Sequence, residues 1–361
     1  HKWLAPLACS IIMISPIIRF STNLGLIADA LGLILLIISA FLLGSKRKIQ
    51  YLDRLALMII TYFIVLVAFS AILIGTDMAF EKTIAIILSG VVFFVTIFAF
   101  NESPDLRVFS ITFISLSFIF TAISFQKGLA AIYEIRLLFS FSCAISIFSI
   151  YFLLEGTKWH EKIFLFMLLM PFIYWGTLSG NRSLLLITLL IISFHYLFYN
   201  RKPFKAALIF IPLSGTLGSL YWYFFSETKM ITRVLATLEA GTGREAIWSS
   251  SLSGIIETFP IGAGVNESYN YLPGFFWSHN IFLELLLEFG VFSIPIILVV
   301  GSITLIAIFS KKKEQVFFLM LFLICLLNFM KSFSLGDIRL LILPLALLII
   351  AMRKRPKLRK N

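Results

Sequence analysis

The chain has 361 residues, of which 60% are hydrophobic and 13% charged; 39 are phenylalanine, and the mean hydropathy is +1.01. Soluble domains carry about a quarter charged residues, so a water-soluble core is excluded and a polytopic all-α membrane protein is implied, with one transmembrane domain over 1–361. The net charge of +12 does not call for nucleic acid, because the basic residues sit in short connections and in the tail, where they act as topology signals.

Apolar runs of roughly bilayer-spanning length predict twelve spans, at about 3–19, 24–43, 55–74, 83–100, 108–124, 135–153, 162–178, 184–198, 204–225, 281–309, 315–332 and 338–352. Pro295 predicts a kink or tilt in the long tenth span. Basic residues on alternate connections split 20 to 10, which predicts that both termini are cytoplasmic and that the 226–280 connection is outside. No cleavable signal peptide is expected. Cys9, Cys143 and Cys325 lie within apolar runs, with no metal-ligand spacing and no implied disulfide.

The outer connection at 226–280 is the only long one, and long connections are usually functional or disordered. Its composition argues against disorder. Ile247, Trp248, Leu252, Ile255, Ile256 and Phe259 recur near the helical period, which predicts a surface amphipathic helix from Arg244. Pro260, Gly262 and Gly264 stop it. Phe275, Phe276 and Trp277 suit the membrane interface, and Ser278 is the expected cap of the tenth span.

Several residues at this face can carry chemistry. Arg182, in SGNRS, is either an interfacial anchor that snorkels or an anion ligand, since a guanidinium offers phosphate a planar fork of donors. Arg244 follows Gly241-Thr242-Gly243, and a glycine turn before a helix favours anions; an ordinary solvated loop charge fits the same pattern. His279, beside Asn280, titrates near neutrality and suits proton transfer, or it simply bonds a loop carbonyl. Glu284 and Glu288 share one helical stripe with Asn280. Carboxylates within a membrane helix face a bundle interior or a wet cavity, where they would orient His279, pair with an arginine or join two helices. No P-loop, zinc cluster or outer Asp-x-Asp pair is present. Two arginines and a histidine at one face suit a diphosphate-bearing lipid donor, without metal or other cofactor.

At this point the chain resembles the O-antigen ligase and O-antigen polymerase superfamily of bacterial membrane glycosyltransferases. Three stretches carry the resemblance: SGNRSLLL with Arg182, GREAIWSSSLSGIIETFPIGAG with Arg244, and SHNIFLELLLEFG with His279 and Asn280. It covers about 170–295; the first five spans match in hydropathy only. The resemblance implies a GT-C-like fold in the bacterial inner membrane and a periplasmic site. It implies an inverting, metal-independent transfer from a glycan on undecaprenyl diphosphate. Arg182 and Arg244 would neutralise the diphosphate. His279 would take the proton of the acceptor hydroxyl or contact the diphosphate, with Asn280, Glu284 and Glu288 in support. A chain-length regulator and a flippase are implied as partners.

Polymerase and ligase share these motifs and differ in acceptor, which is another lipid-linked repeat unit or lipid A-core. Ser293 departs from many ligases, and the outer loop is short for a ligase, so the pattern reads more like a polymerase. A flippase for lipid-linked oligosaccharide is the alternative of a different class, and would be expected to show internal repeats and midplane charges or broken helices. A purely structural membrane protein would need no convergence of Arg182, Arg244 and His279.

Overall fold

A computed structural model describes residues 3–22, 24–43, 49–100, 103–128, 133–155, 157–179, 182–199, 244–272, 274–275, 277–310, 312–331 and 333–353. Among them the chain is helical, with no strand. The helices are α1 (Leu4–Thr22), α2 (Gly25–Leu43), α3 (Tyr51–Ile74), α4 (Asp77–Ala99), α5 (Leu106–Gln126), α6 (Tyr133–Leu154), α7 (Trp159–Leu178), α8 (Arg182–Tyr199), α9 (Arg244–Thr258), α10 (Ile281–Phe289), α11 (Ile294–Ile308), α12 (Lys313–Phe329) and α13 (Arg339–Ala351). Among the described residues seven segments are long and apolar enough to cross a membrane. The chain is therefore a polytopic helical membrane protein. Eleven of the predicted spans fall on these helices; the ninth, 204–225, lies outside the described residues.

The chain divides into two compact units. One comprises 6–32 and 106–242. Its core forms where α5, α6, α7 and α8 pack, with Phe139, Cys143, Ile150 and Phe172 fully buried. Serines on α5 and α6 bond one another: Ser117 to Ser142, and Ser146 to Ser117 at 2.9 Å. Tyr151 of α6 bonds His195 Nδ1 of α8 at 2.9 Å. These bonds satisfy hydroxyls inside apolar helices, where an unpaired polar group is costly.

The other unit comprises 1–5, 33–105 and 243–361, and holds α3, α4 and α9–α13. Helix α13 is buried along its length and packs on α4 and α12. Helix α4 starts earlier than its apolar run suggests. Thr76 accepts the Ala79 N–H at 3.3 Å as an N-cap, so Asp77 to Lys82 add a polar turn and a half. Lys82 thus lies inside a helix instead of in the preceding connection.

The tenth span is not one helix. Helix α10 ends at Phe289; Gly290 has φ +52° and ψ −136°, and a 3₁₀ turn covers Gly290–Ser293 before α11 begins. Pro295 stands in the first turn of α11, where its missing N–H removes no helical bond. The break is therefore at Gly290, and the proline starts the next helix instead of kinking a continuous one.

Candidate functional site

The break in the tenth span is filled by the loop that follows α9. Backbone N–H groups of Ala263 and Gly264 donate to the carbonyls of Leu287 (2.7 Å) and Glu288 (2.9 Å), and Val291 N–H donates to Pro260 O (2.9 Å). Carbonyls that a continuous helix would satisfy internally are thus taken up by loop amides. The contact is backbone on backbone. A Cβ on Gly262 would stand 2.6 Å from Glu288 O and Gly290 N, and one on Gly290 would stand 2.0 Å from Pro260 O. Only glycine fits at either place. Helix α3 closes the junction: Ser70 Oγ accepts Val265 N–H at 2.8 Å, Tyr62 OH donates to Phe292 O at 2.9 Å, and Phe63 meets Phe289 edge-on.

Helix α9 packs on α10 through its small face. Ile247, Ser251 and Gly254 are buried, and a Cβ on Gly254 would press on Leu287 and Tyr271. Trp248, Leu252 and Ile256 of the predicted apolar set are exposed on the protein surface, as is Phe259 beyond the helix end. The helix exists where the periodicity placed it, but close approach through small residues, not an apolar face, holds it to α10. The C-terminal ends of α9 and α10 meet at Gly262 and Gly290. Arg244 and His279, at the opposite ends of these helices, both lie away from that junction.

His279 precedes the first turn of α10 with φ +51°, an uncommon backbone state for a residue with a side chain. Trp277 Nε1–H donates to His279 Nδ1 at 3.0 Å, and the rings of Phe275 and Trp277 stand edge-on to the imidazole. Indole nitrogen can only donate, so Nδ1 accepts and the proton of the neutral ring sits on Nε2. Asn280 caps α10, its Oδ1 accepting the N–H groups of Phe282 (3.0 Å) and Leu283 (3.4 Å). Ser278, the expected cap, is buried and donates to Asn280 O at 2.8 Å instead. Because Asn280 already occupies those first-turn amides, an anion at this mouth relies on side chains more than on the helix end.

Glu284 and Glu288 are fully desolvated, at 0% and 1% exposure. Their partner is Lys82 of α4, whose Nζ lies 2.7 Å from Glu284 Oε1 and 2.6 Å from Glu288 Oε1. Neutral donors add to the lysine. Leu335 N–H faces both oxygens of Glu284 at 3.2 Å and Ser268 Oγ donates to Glu288 Oε1 at 3.2 Å, while the buried Glu288 Oε2 has no hydrogen-bond partner. Neither carboxylate bonds His279 or an arginine among the described contacts; the cluster joins α4, α10, the loop and the 335–337 turn. It is an ion pair between helices, one of the roles open from sequence, with a lysine as the bridge.

Arg244 is the first residue of α9 and is partly buried. Arg182 is the first residue of α8 and belongs to the other compact unit; its side chain lies outside what is described. Among the described residues no group of three His, Cys, Asp or Glu side chains is placed to hold a metal ion.

Compared with protein-family models, curated proteins and solved structures, the chain matches none. The site is therefore read from its own residues.

Sequence reasoning missed Lys82, Ser268 and the Leu335 N–H. The apolar run begins at Thr83, which by itself leaves Lys82 in the preceding connection. The Thr76-Asp77 pair is an N-cap signature, and it would have moved Lys82 onto a helix. Nothing local marks the 335–337 turn as a partner of residue 284.

Proposed function

We propose that the chain is a membrane glycosyltransferase of the O-antigen polymerase type, using undecaprenyl-diphosphate-linked repeat units as donor and acceptor. The site would face the periplasm, with both termini cytoplasmic, in a GT-C-like arrangement of about twelve spans. The observation that carries this reading is the His279 mouth: an imidazole in a left-handed backbone state, fixed at Nδ1 by an indole N–H, beside a capped helix start. Strained, over-determined residues gather at functional sites.

The Trp277 bond favours one of the two roles open to His279. To act as a base through Nε2, the ring would need its proton on Nδ1, facing the indole N–H. With Nδ1 accepting, Nε2–H is a donor and suits an oxygen of the diphosphate. Transfer then forms a bond from the acceptor hydroxyl oxygen to the anomeric carbon. The bond from that carbon to the diphosphate oxygen breaks, and its electron pair leaves with the diphosphate. Arg244 and His279 Nε2–H stabilise that developing charge, to which the resemblance would add Arg182, and the hydroxyl proton leaves to water.

The test is purified protein in lipid bilayers with lipid-linked repeat units and no lipid A-core. Long lipid-linked chains support the polymerase. Product that forms only once lipid A-core is added makes the enzyme a ligase. A second reading, a flippase for the same lipid, draws on one specific observation: the tenth span is broken at Gly290 beside buried Lys82, Glu284 and Glu288, and broken helices with buried charge mark transport sites. Movement of the lipid-linked unit across vesicles without any new glycosidic bond would favour it.

A further inference from the structure

Lys82 is used by none of the chemistry above, yet it stands at the meeting point of the elements that build the mouth. Through Glu284 it fixes the first turn of α10, because Glu284 N–H donates to Asn280 O at 2.9 Å and Asn280 caps the same turn. Through Glu288 it fixes the loop, because Ser268 shares the same Oε1 and Gly264 N–H is bound to the Glu288 carbonyl. That loop continues α9, whose first residue is Arg244. One ammonium therefore sets both the rotation of α10 under His279 and the seat of the α9 loop against it.

We propose that Lys82 is a positioning residue of the transferase site, a clamp that fixes the relative placement of Arg244 and His279 without touching substrate. The proposal rests on the transferase reading. The cluster is suited to this because α4 supplies the cation and α10 both anions, so α10 can neither turn nor slide without breaking one of two short bonds. An apolar contact would tolerate such a slip. Displacement of a binding group by about 1 Å can lower turnover on the order of 10²-fold.

A merely structural role makes a different prediction, and one comparison separates them. Lys82→Met together with Glu284→Gln and Glu288→Gln removes all three charges while keeping shape, so it avoids bare buried carboxylates. Repeat-unit polymerisation in bilayers would be followed with thermal unfolding of the same samples. The expected result is a wild-type midpoint and KM with kcat lowered by at least about tenfold. Lys82→Arg, which still bridges two carboxylates, is expected to restore most of that kcat. Wild-type kcat in the triple variant overturns the proposal. So does a kcat that merely follows the unfolding midpoint across the set, or a Lys82→Arg enzyme no faster than the triple variant. Should the triple variant fail to insert, the single Glu288→Gln variant decides by the same split, since it releases the Ser268 loop from a charged acceptor. Two outcomes are separate from the clamp: full activity of His279→Ala removes His279 from the mechanism, and no chain growth by the wild type removes the transferase reading.

Discussion

Helix α4 carries a buried charge cluster at each end, and the two are built differently. At its C-terminal end Arg353, buried at 6% exposure, pairs through Nε with Asp53 Oδ1 at 2.9 Å. Its remaining nitrogens donate to Phe100 O at 2.5 Å and Ile97 O at 2.8 Å, carbonyls that the helix end leaves free. Asp53 also accepts the Gln50 N–H that opens α3. One cation meets one anion, and the groups around them are helix termini. About 22 Å away along α4, by the helical rise, one lysine meets two glutamates, and the groups around them are a loop, a broken helix and a turn. The first cluster closes helix ends. The second ties a loop, a broken helix and a turn together below a mouth, and it sets two carboxyl groups against one ammonium. Burial alone does not separate a structural ion pair from a positioning one; what the pair is attached to does.

That contrast can be broken most forcefully at the Arg353 end. Arg353→Ala leaves Asp53 buried without its cation and two helix-end carbonyls without donors. It is expected to destabilise the protein by about 3–5 kcal/mol, read as a lower unfolding midpoint and a lower inserted yield. Turnover per folded molecule should stay at the wild-type value. A variant with an unchanged midpoint would mean that the Arg353 cluster holds nothing.

At the other end the loop can be prised off without touching a charge. Gly290→Ala places a methyl on Pro260 O at a left-handed position. Overpacking and backbone strain together are expected to lower stability by about 1–3 kcal/mol. The sharper readout is limited proteolysis, which should open 259–267 while α4 and α13 stay protected. Equal protection in the variant would show that the loop does not depend on this contact.

The smallest expected change in stability, and the most informative for chemistry, is Trp277→Phe. It keeps an aromatic ring beside His279 and removes only the indole N–H. Losing one side-chain hydrogen bond should alter stability by about 1 kcal/mol or less. If Nε2–H of His279 holds the diphosphate, releasing the tautomer should lower kcat on the order of tenfold. Unchanged turnover would mean that the Trp277 bond does not set the role of His279.

The division between what is legible in the chain and what is not follows from range. Spans such as 24–43 and 135–153 are readable because bilayer-length apolar runs have one helical solution. Helix α9 is readable from its period, whereas the cap of α10 is misplaced by two residues, because Ser278 and Asn280 are both capping residue types before the same apolar run. The break at Gly290 is not readable, because the loop amides of Ala263 and Gly264 that make it tolerable lie more than twenty residues away. Lys82 is two hundred residues from its partners, and only packing brings them together. The exposed stripe of α9 fits a surface helix, while the side that meets α10 is not legible. In a membrane protein apolar residues can face outward, so periodicity gives the helix but not its buried side.

The central claim is that this mouth transfers glycan from a lipid diphosphate, and its most direct test is chemical. Wild-type protein, His279→Ala and Arg182→Ala would be reconstituted in bilayers at equal inserted amounts and given only lipid-linked repeat units. Product would be resolved by chain length. The account predicts long lipid-linked chains from the wild type and none from either variant. No chain growth by the wild type, with or without added lipid A-core, would contradict it.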